Sequence, residues 1–153
     1  MNLLITGGLG YIGAHLSVEL LKTNTRVFIL DDLSNSKLAK KKNIEKLSKK
    51  KIIFIKNDLS DYKKISKILK KNKIDLVFHL AGSKAVNESF LKPYKYYLNN
   101  SFRTMQLLRA MNESNVNKII FSSSATVYGV RNKNGIKETS NLETINPYGT
   151  SKL

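Results

Sequence analysis

The stretch Thr6-Gly7-Gly8-Leu9-Gly10-Tyr11-Ile12-Gly13 constrains this chain more than any other. A short apolar run, Leu3-Leu4-Ile5, precedes it, and a helical pattern follows in which Ile12, Leu16, Glu19, Leu20 and Lys22 sort onto faces. Strand, glycine turn and helix together form the context in which closely spaced glycines bind a dinucleotide. One glycine makes the tight turn, one lets a pyrophosphate approach bare backbone, and one lets helix and strand pack closely. The pyrophosphate then meets the helix N-terminus, where unpaired N–H groups and the dipole favour negative charge. Two registers fit the same residues: Gly8-x-Gly10-x-x-Gly13 and Gly7-x-x-Gly10-x-x-Gly13. The downstream residues have to choose between them.

A length of 153 residues suffices for one domain with a real core. The chain contains no cysteine, which excludes disulfides and thiolate zinc sites. Its start enters a strand at once, with no charged and apolar leader, and no apolar run approaches the length of a membrane span, so a cytoplasmic protein with no membrane partner is expected. The formal charge of +16 raises a nucleic-acid reading. Lys supplies 23 of the 27 basic residues, spread over helix surfaces such as Lys63-Lys64, Lys67 and Lys70-Lys71, with the densest cluster from Lys37 through Lys40-Lys41-Lys42 to Lys49-Lys50-Lys51. That distribution reads as a solvated surface, so no specific nucleic-acid partner is expected, only salt-sensitive adhesion to polyanions.

Strand-like runs at Leu3–Thr6, Val27–Leu30, Ile52–Lys56, Leu76–Leu80 and Ile119–Ser122 alternate with helical patterns at Tyr11–Thr23, Lys37–Lys50, Tyr62–Lys71 and Tyr94–Ser114. This alternation predicts an α/β fold, a Rossmann-like doubly wound parallel sheet of order 3-2-1-4-5 covered on both faces. Ligands bind such sheets outside the carboxyl ends of the strands. After strand two, Asp31 lies near the separation of roughly 20 residues from the glycines at which a carboxylate holds the ribose hydroxyls, the other reading being that it caps the following turn. A carboxylate there repels a 2′-phosphate, which favours NAD over NADP. Asp32, Leu33, Ser34, Asn35 and Ser36 follow and bring small polar groups toward the same ribose.

After strand three, Asp58 is read either as an adenine acceptor beside Leu59 or as an N-cap for the helix near Tyr62. After strand four, Leu80, Ala81, Gly82, Ser83 and Lys84 let backbone pass close to a cofactor. His79 reads as a packed strand residue, His15 as helical, and two isolated histidines give no metal site. After strand five come Ser122-Ser123-Ser124-Ala125-Thr126, with hydroxyls facing the crevice. Near the end, Asn146-Pro147 is a helix start, and Tyr148 and Lys152, four apart, are expected on one face of that helix.

Taken together, Thr6 through Gly13, Asp31 through Ser36, Lys84-Ala85-Val86, Tyr96-Tyr97 with Asn99-Asn100, Ser122 through Gly129 and Asn146 through Lys152 resemble the UDP-glucose 4-epimerases (UDP-galactose 4-epimerases), which are extended short-chain dehydrogenase/reductases. The resemblance runs over all 153 residues. It implies that Gly7, Gly10, Tyr11, Ile12, Gly13, Asp31 through Ser36, Asp58, Leu59, Leu80 through Lys84 and Asn99 line an NAD site. It further implies that Ser124, Tyr148 and Lys152 are catalytic and also touch NAD, and that Lys84, Ser124, Thr126 and Tyr148 touch substrate.

The implied reaction interconverts UDP-glucose and UDP-galactose by transient oxidation at sugar C4. Tyr148 takes the 4-hydroxyl proton, directly or through Ser124. Free Tyr has a pKa of about 10, and lowering it by about 3 units takes roughly 4 kcal/mol, which Lys152 and the nicotinamide cation would supply by Coulomb attraction. The sister 4,6-dehydratases carry Asp-Glu where this chain has Ala125 and Thr126, which disfavours dehydration. Other nucleotide-sugar epimerases and a non-catalytic NAD-binding module are the alternatives. Arg103 and Asn87 stand where the family usually has Gly. The resemblance also implies that the later strands and the substrate domain lie beyond Leu153 and that the full-length protein is a homodimer; with strand five then at an exposed edge, the isolated 153-residue piece is expected to be marginally folded and inactive.

Overall fold

The computed structural model describes residues 1–130 and 135–153. They form two compact units, one of residues 1–81 and 106–122, the other of residues 82–105 and 123–153.

The first unit holds a five-stranded, all-parallel sheet of order β3-β2-β1-β4-β5, with β1 at Asn2–Thr6, β2 at Arg26–Asp31, β3 at Ile53–Lys56, β4 at Leu76–His79 and β5 at Ile119–Phe121. The predicted order is the observed one. Central β1 registers Ile5 against Ile29 on one side and against Phe78 on the other. Alternate strand residues enter opposite cores. Leu4, Phe28, Leu30 and Val77 join Ile65, Leu69, Leu107, Ala110 and Met111, whereas Ile5, Val27 and Ile29 join Leu9, Leu21 and Ile44. Two-sided burial explains why the strands read as apolar runs instead of alternating patterns.

Helices α1 (Tyr11–Lys22) and α2 (Ala39–Ser48) cover one face, and α3 (Tyr62–Lys71) covers the other together with the later part of the helix that leads into β5. Asp61 caps α3, accepting from the amides of Lys63 and Lys64 at 2.9 and 3.2 Å. The alternative reading of Asp58 as that cap is therefore corrected by three residues. Asp58 instead closes a turn of its own, accepting from the Ser60 amide and hydroxyl. Lys49, in left-handed geometry at φ 55°, stops α2.

The second unit is built on α4 (Val86–Leu91), α5 (Pro93–Tyr96), a π-helical turn (Tyr97–Phe102) and the first residues of α6 (Arg103–Glu113). A 3₁₀ turn (Ala125–Tyr128) and α7 (Pro147–Thr150) complete it, and α7 packs on α4 and α5. The expected single helix over Tyr94–Ser114 is thus three segments with a wide turn inside, and α4 had no counterpart in the sequence reading. Leu91, 82% exposed, and the neighbouring Phe90 leave α4 without the buried stripe that marks a helix in sequence. Asn87 is exposed on α4, so no packing there depends on a glycine, and Arg103 is half-buried where α6 begins.

Candidate functional site

In the first unit, the glycine stretch makes the β1–α1 connection. Gly7 has φ +67°, its amide donates to the Leu30 carbonyl at 2.8 Å, and its carbonyl accepts from Gly10 at 2.9 Å. A side chain at Gly7 would be strained and would press on Ala81 backbone at 2.9 Å, which favours the register beginning at Gly7. A Cβ on Gly13 would sit 2.6 Å from both the Gly7 oxygen and Gly8 Cα, so α1 can approach the turn only because nothing projects there. The amide of Ala14 makes the first helical bond, to Gly10. The amides of Tyr11, Ile12 and Gly13 are therefore those that a helix start presents to an outside acceptor. Tyr11 and Ile12, 73% and 61% exposed, flank them as large apolar surface.

Asp31 ends β2 buried, and its carboxylate organises the neighbouring backbone. Oδ2 accepts from the Leu9 amide at 3.0 Å, and Oδ1 accepts from the Leu33 amide at 2.9 Å and the Ser36 hydroxyl at 2.8 Å. A carboxylate has about four lone-pair sites, so one on Oδ2 remains for a ligand hydroxyl. Asp32 ties the Ser34 amide and hydroxyl, Leu33 takes φ 63°, and Asn35 is exposed. Leu59 lies in the core at 3% exposure, so its side chain offers no surface to an adenine ring, against the expectation. Leu80 and Ala81 leave β4 half-buried, and the Ala81 amide donates to Thr6 Oγ1. His79 is fully buried, bonded to Thr6 Oγ1 through Nδ1 at 2.7 Å and stacked on Phe121, as a packed strand residue should be.

In the second unit, the structure brings together Gly82, Ser83, Asn99, Asn100, Ser151 and Lys152. Asn100, which the sequence reading gave no role, is the hub. Its Oδ1 accepts from the Ser83 amide at 2.7 Å, and its Nδ2 donates to the Ser83 carbonyl and to Ser151 Oγ, each at 2.9 Å. Asn99 donates to Ser83 Oγ at 3.0 Å. Lys152 is 7% exposed, and burial pushes its ammonium below the usual lysine value. Its Nζ lies 3.2 Å from where a Cβ on Gly82 would stand, so the glycine makes room for the amine. Lys84 is exposed.

Asn146 caps α7, accepting from the Gly149 amide at 2.7 Å, as the Asn-Pro start predicted. The regular helix ends at Thr150, yet Leu153 still donates to the Gly149 carbonyl, so Lys152 follows a helical path one turn after the half-buried Tyr148. The Tyr148 ring meets the Tyr96 ring edge-on, centroids 6.3 Å apart and planes at 79°. Ser124 opens the 3₁₀ turn, and its Oγ accepts from the Thr126 hydroxyl at 2.9 Å and the Thr126 amide at 3.3 Å. The Ser124 hydroxyl proton is therefore directed elsewhere. Ser123 Oγ donates to the Lys152 carbonyl at 2.9 Å. No carboxylate stands at Ala125 or Thr126. Among the described residues no group of three His, Cys, Asp or Glu could hold a metal, and no helix is long and apolar enough to cross a membrane.

Residues 4–153 match the model of the family described as GDP-mannose 4,6 dehydratase. The UDP-glucose 4-epimerase of Bacillus subtilis (strain 168) is 44% identical over 153 residues, covering 100% of this chain and 45% of the relative. That of Pasteurella multocida is 43% identical over 154 residues, covering 100% and 46%. Among solved structures, a UDP-glucose 4-epimerase from Stenotrophomonas maltophila with bound NAD and formylated UDP-arabinopyranose superposes with a TM-score of 0.97 at 37% identity, covering 99% of this chain and 45% of that one. One from Bifidobacterium longum in complex with NAD+ and UDP gives 0.96 at 42% identity, covering 99% and 46%. The chain thus spans about half the length of these relatives. A Rossmann-like sheet of order 3-2-1-4-5, a glycine turn closed by Gly13 and a buried Lys152 one helical turn past Tyr148 accompany that match, and the chain belongs to the GDP-mannose 4,6 dehydratase family, within the extended short-chain dehydrogenase/reductases that include the UDP-glucose 4-epimerases.

Proposed function

We propose that residues 1–153 are the NAD-binding part of a UDP-glucose 4-epimerase, whose sugar-recognising part lies outside these residues. The observation that carries the proposal is the agreement of the whole chain with epimerases at 44% identity, with Ser124, Tyr148 and Lys152 all in place. The fit to NAD rests on this structure: a turn that a Cβ at Gly13 would fill, free-facing amides at the start of α1, and a single unfilled lone-pair site on buried Asp31. Placed there, the Asp31 charge accepts from a ribose hydroxyl and repels a 2′-phosphate, so NADP should bind more weakly than NAD.

NAD, when bound, supplies the acceptor for the hydride from sugar C4 and returns it. Tyr148 takes the proton of the 4-hydroxyl and gives it back. Ser124, whose Oγ already accepts from Thr126, donates its own proton to the 4-oxygen and steadies it. Lys152, as a cation close to α7, favours the phenolate of Tyr148 over the phenol. With no acid–base pair at Ala125 and Thr126, the same residues have no means to eliminate water, which sets epimerisation above 4,6-dehydration.

The test replaces the matching segment of the Bacillus subtilis relative with residues 1–153 and follows UDP-galactose conversion and bound NAD. Tyr148→Phe keeps the ring and removes the proton acceptor, and general-base loss costs about 10²–10⁴-fold in rate. NAD content should not change. Near-normal turnover in Tyr148→Phe, or NADP binding as tight as NAD, overturns the reading. A non-catalytic NAD-binding module would show NAD binding with turnover indifferent to Tyr148 and Lys152.

A further inference from the structure

Tyr96 and Glu88 belong to no step described so far, yet they are hydrogen-bonded to each other, and the buried Tyr96 ring stands against Tyr148. Tyr96 is 0% exposed, the largest fully buried side chain among the described residues. Its hydroxyl donates toward two acceptors, the Ala85 carbonyl at 2.7 Å and Glu88 Oε2 at 2.9 Å. Glu88 is itself held by Lys95, whose Nζ approaches both carboxylate oxygens at 2.8 and 2.9 Å, with Lys92 at 3.9 Å. The phenol is thus held at its far end by Ala85 and by Glu88 of α4. Against that ring stands Tyr148, edge-on.

The backbone of Tyr148 is held separately. Ser151 Oγ donates to the Tyr148 carbonyl at 2.7 Å while accepting from Asn100, and Asn146 caps the same helical turn. With the backbone held through Asn100 and Asn146, Tyr148 keeps rotation about its side-chain bonds, and the Tyr96 ring stands against its ring. Edge-to-face ring pairs have a preferred geometry and resist rotation, and a reacting group displaced by about 1 Å loses much of its rate.

We propose that Tyr96 is a positioning residue for Tyr148: the Glu88–Tyr96 pair holds a ring in place, and that ring restrains the rotation of the Tyr148 ring and so narrows the side-chain angles its phenol samples. This rests on the reading of Tyr148 as the proton acceptor. The Glu88 carboxylate acts here as an anchor, and burial together with the Glu88 bond and charge pushes the Tyr96 phenol up, so it stays protonated and donating.

The experiment places 3-fluorotyrosine at position 148 and reads ring rotation by fluorine NMR in three variants, with a second fluorotyrosine at Tyr62 in α3 reporting the fold. Tyr96→Leu and Tyr96→Met both remove the aromatic edge, the second while refilling the volume with a flexible side chain. Exchange between the two ring orientations of residue 148 should quicken by about 3- to 10-fold, the share of an edge-to-face pair, while Tyr62 is unchanged. Tyr96→Phe keeps the ring and should restore slow exchange at least in part. In the Bacillus subtilis exchange protein the same Leu or Met variants should lower kcat by about tenfold or more, leaving KM and bound NAD within about twofold of normal.

Unchanged Tyr148 exchange in both Leu and Met variants with the Tyr62 signal intact overturns the proposal. So does exchange in Tyr96→Phe as fast as in Tyr96→Leu, because then the ring contributes nothing. The fluorine result does not depend on turnover, so a failed epimerase assignment shows itself separately, as normal turnover in Tyr148→Phe.

Discussion

Every polar atom of the Asn100 side chain is engaged, and its partners lie 17 and 51 positions away in the chain. Asn100→Asp keeps the shape but turns a carboxylate oxygen toward the Ser83 carbonyl and Ser151 Oγ, where a donor is needed. A buried acceptor left facing an acceptor costs about 1–3 kcal/mol, so the variant should lose that much in urea unfolding, and an unchanged midpoint would show that the clamp is idle. Lys152 sets a second expectation. Burial lowers its folded-state value from 10.5, so the unfolded chain binds the extra proton in the interval between the two values. Stability from this group therefore rises with pH through that interval and is penalised below it. The thermal midpoint of the normal chain should gain on that of Lys152→Met as pH climbs toward 10.5, and parallel curves would contradict this. The Asn146 cap was legible because it acts within a few residues of a recognisable element. Asn100 and Tyr96 were not, because nothing local marks a side chain whose partners come from other segments.

At the scale of elements, the β1–α1 connection is the least tolerant piece. Adding one methyl group at Gly13 puts a carbon 2.6 Å from two backbone atoms, neither of which can swing aside. Gly13→Ala should cost about 1–3 kcal/mol, the usual range for overpacking, and should abolish NAD binding in a calorimetric titration. Full binding would mean that the turn opens without consequence. The strands and α1–α3 followed from periodicity and glycine placement to within one or two residues at most ends. The stretch after Pro93 did not, because residues 94–113 carry an unbroken helical composition. Their division into α5, a π-helical turn and α6 comes from how Tyr96, Asn100 and Leu107 are each buried. The 3₁₀ turn after Ser124 was likewise unread. Three serines suggested hydroxyl chemistry, and only the Ser124 cap shows that they also shape the backbone.

For the molecule as a whole, the sheet ends on β5, three residues long, with Ile120 50% and Phe121 38% exposed. Among the described residues no strand pairs with its outer side. Free apolar strand edges template aggregation. The 153-residue chain should therefore scatter light on warming, and Ile120→Lys should suppress that scattering without lowering the thermal midpoint; equal scattering would place the sticky surface elsewhere. The π-helical turn bears on how this protein can vary in length. A π turn closes i to i+5 where an α turn closes i to i+4, so Tyr97–Phe102 holds one residue more than a regular helix needs. Losing one residue from that stretch would return it to a regular α turn and leave the following helix facing as before, with Leu107, Ala110 and Met111 still on the core. An aligned relative with a one-residue gap inside 97–102 should accordingly keep its apolar positions over 103–113 in step with those of this chain, and a gap there with the pattern shifted by one should not occur.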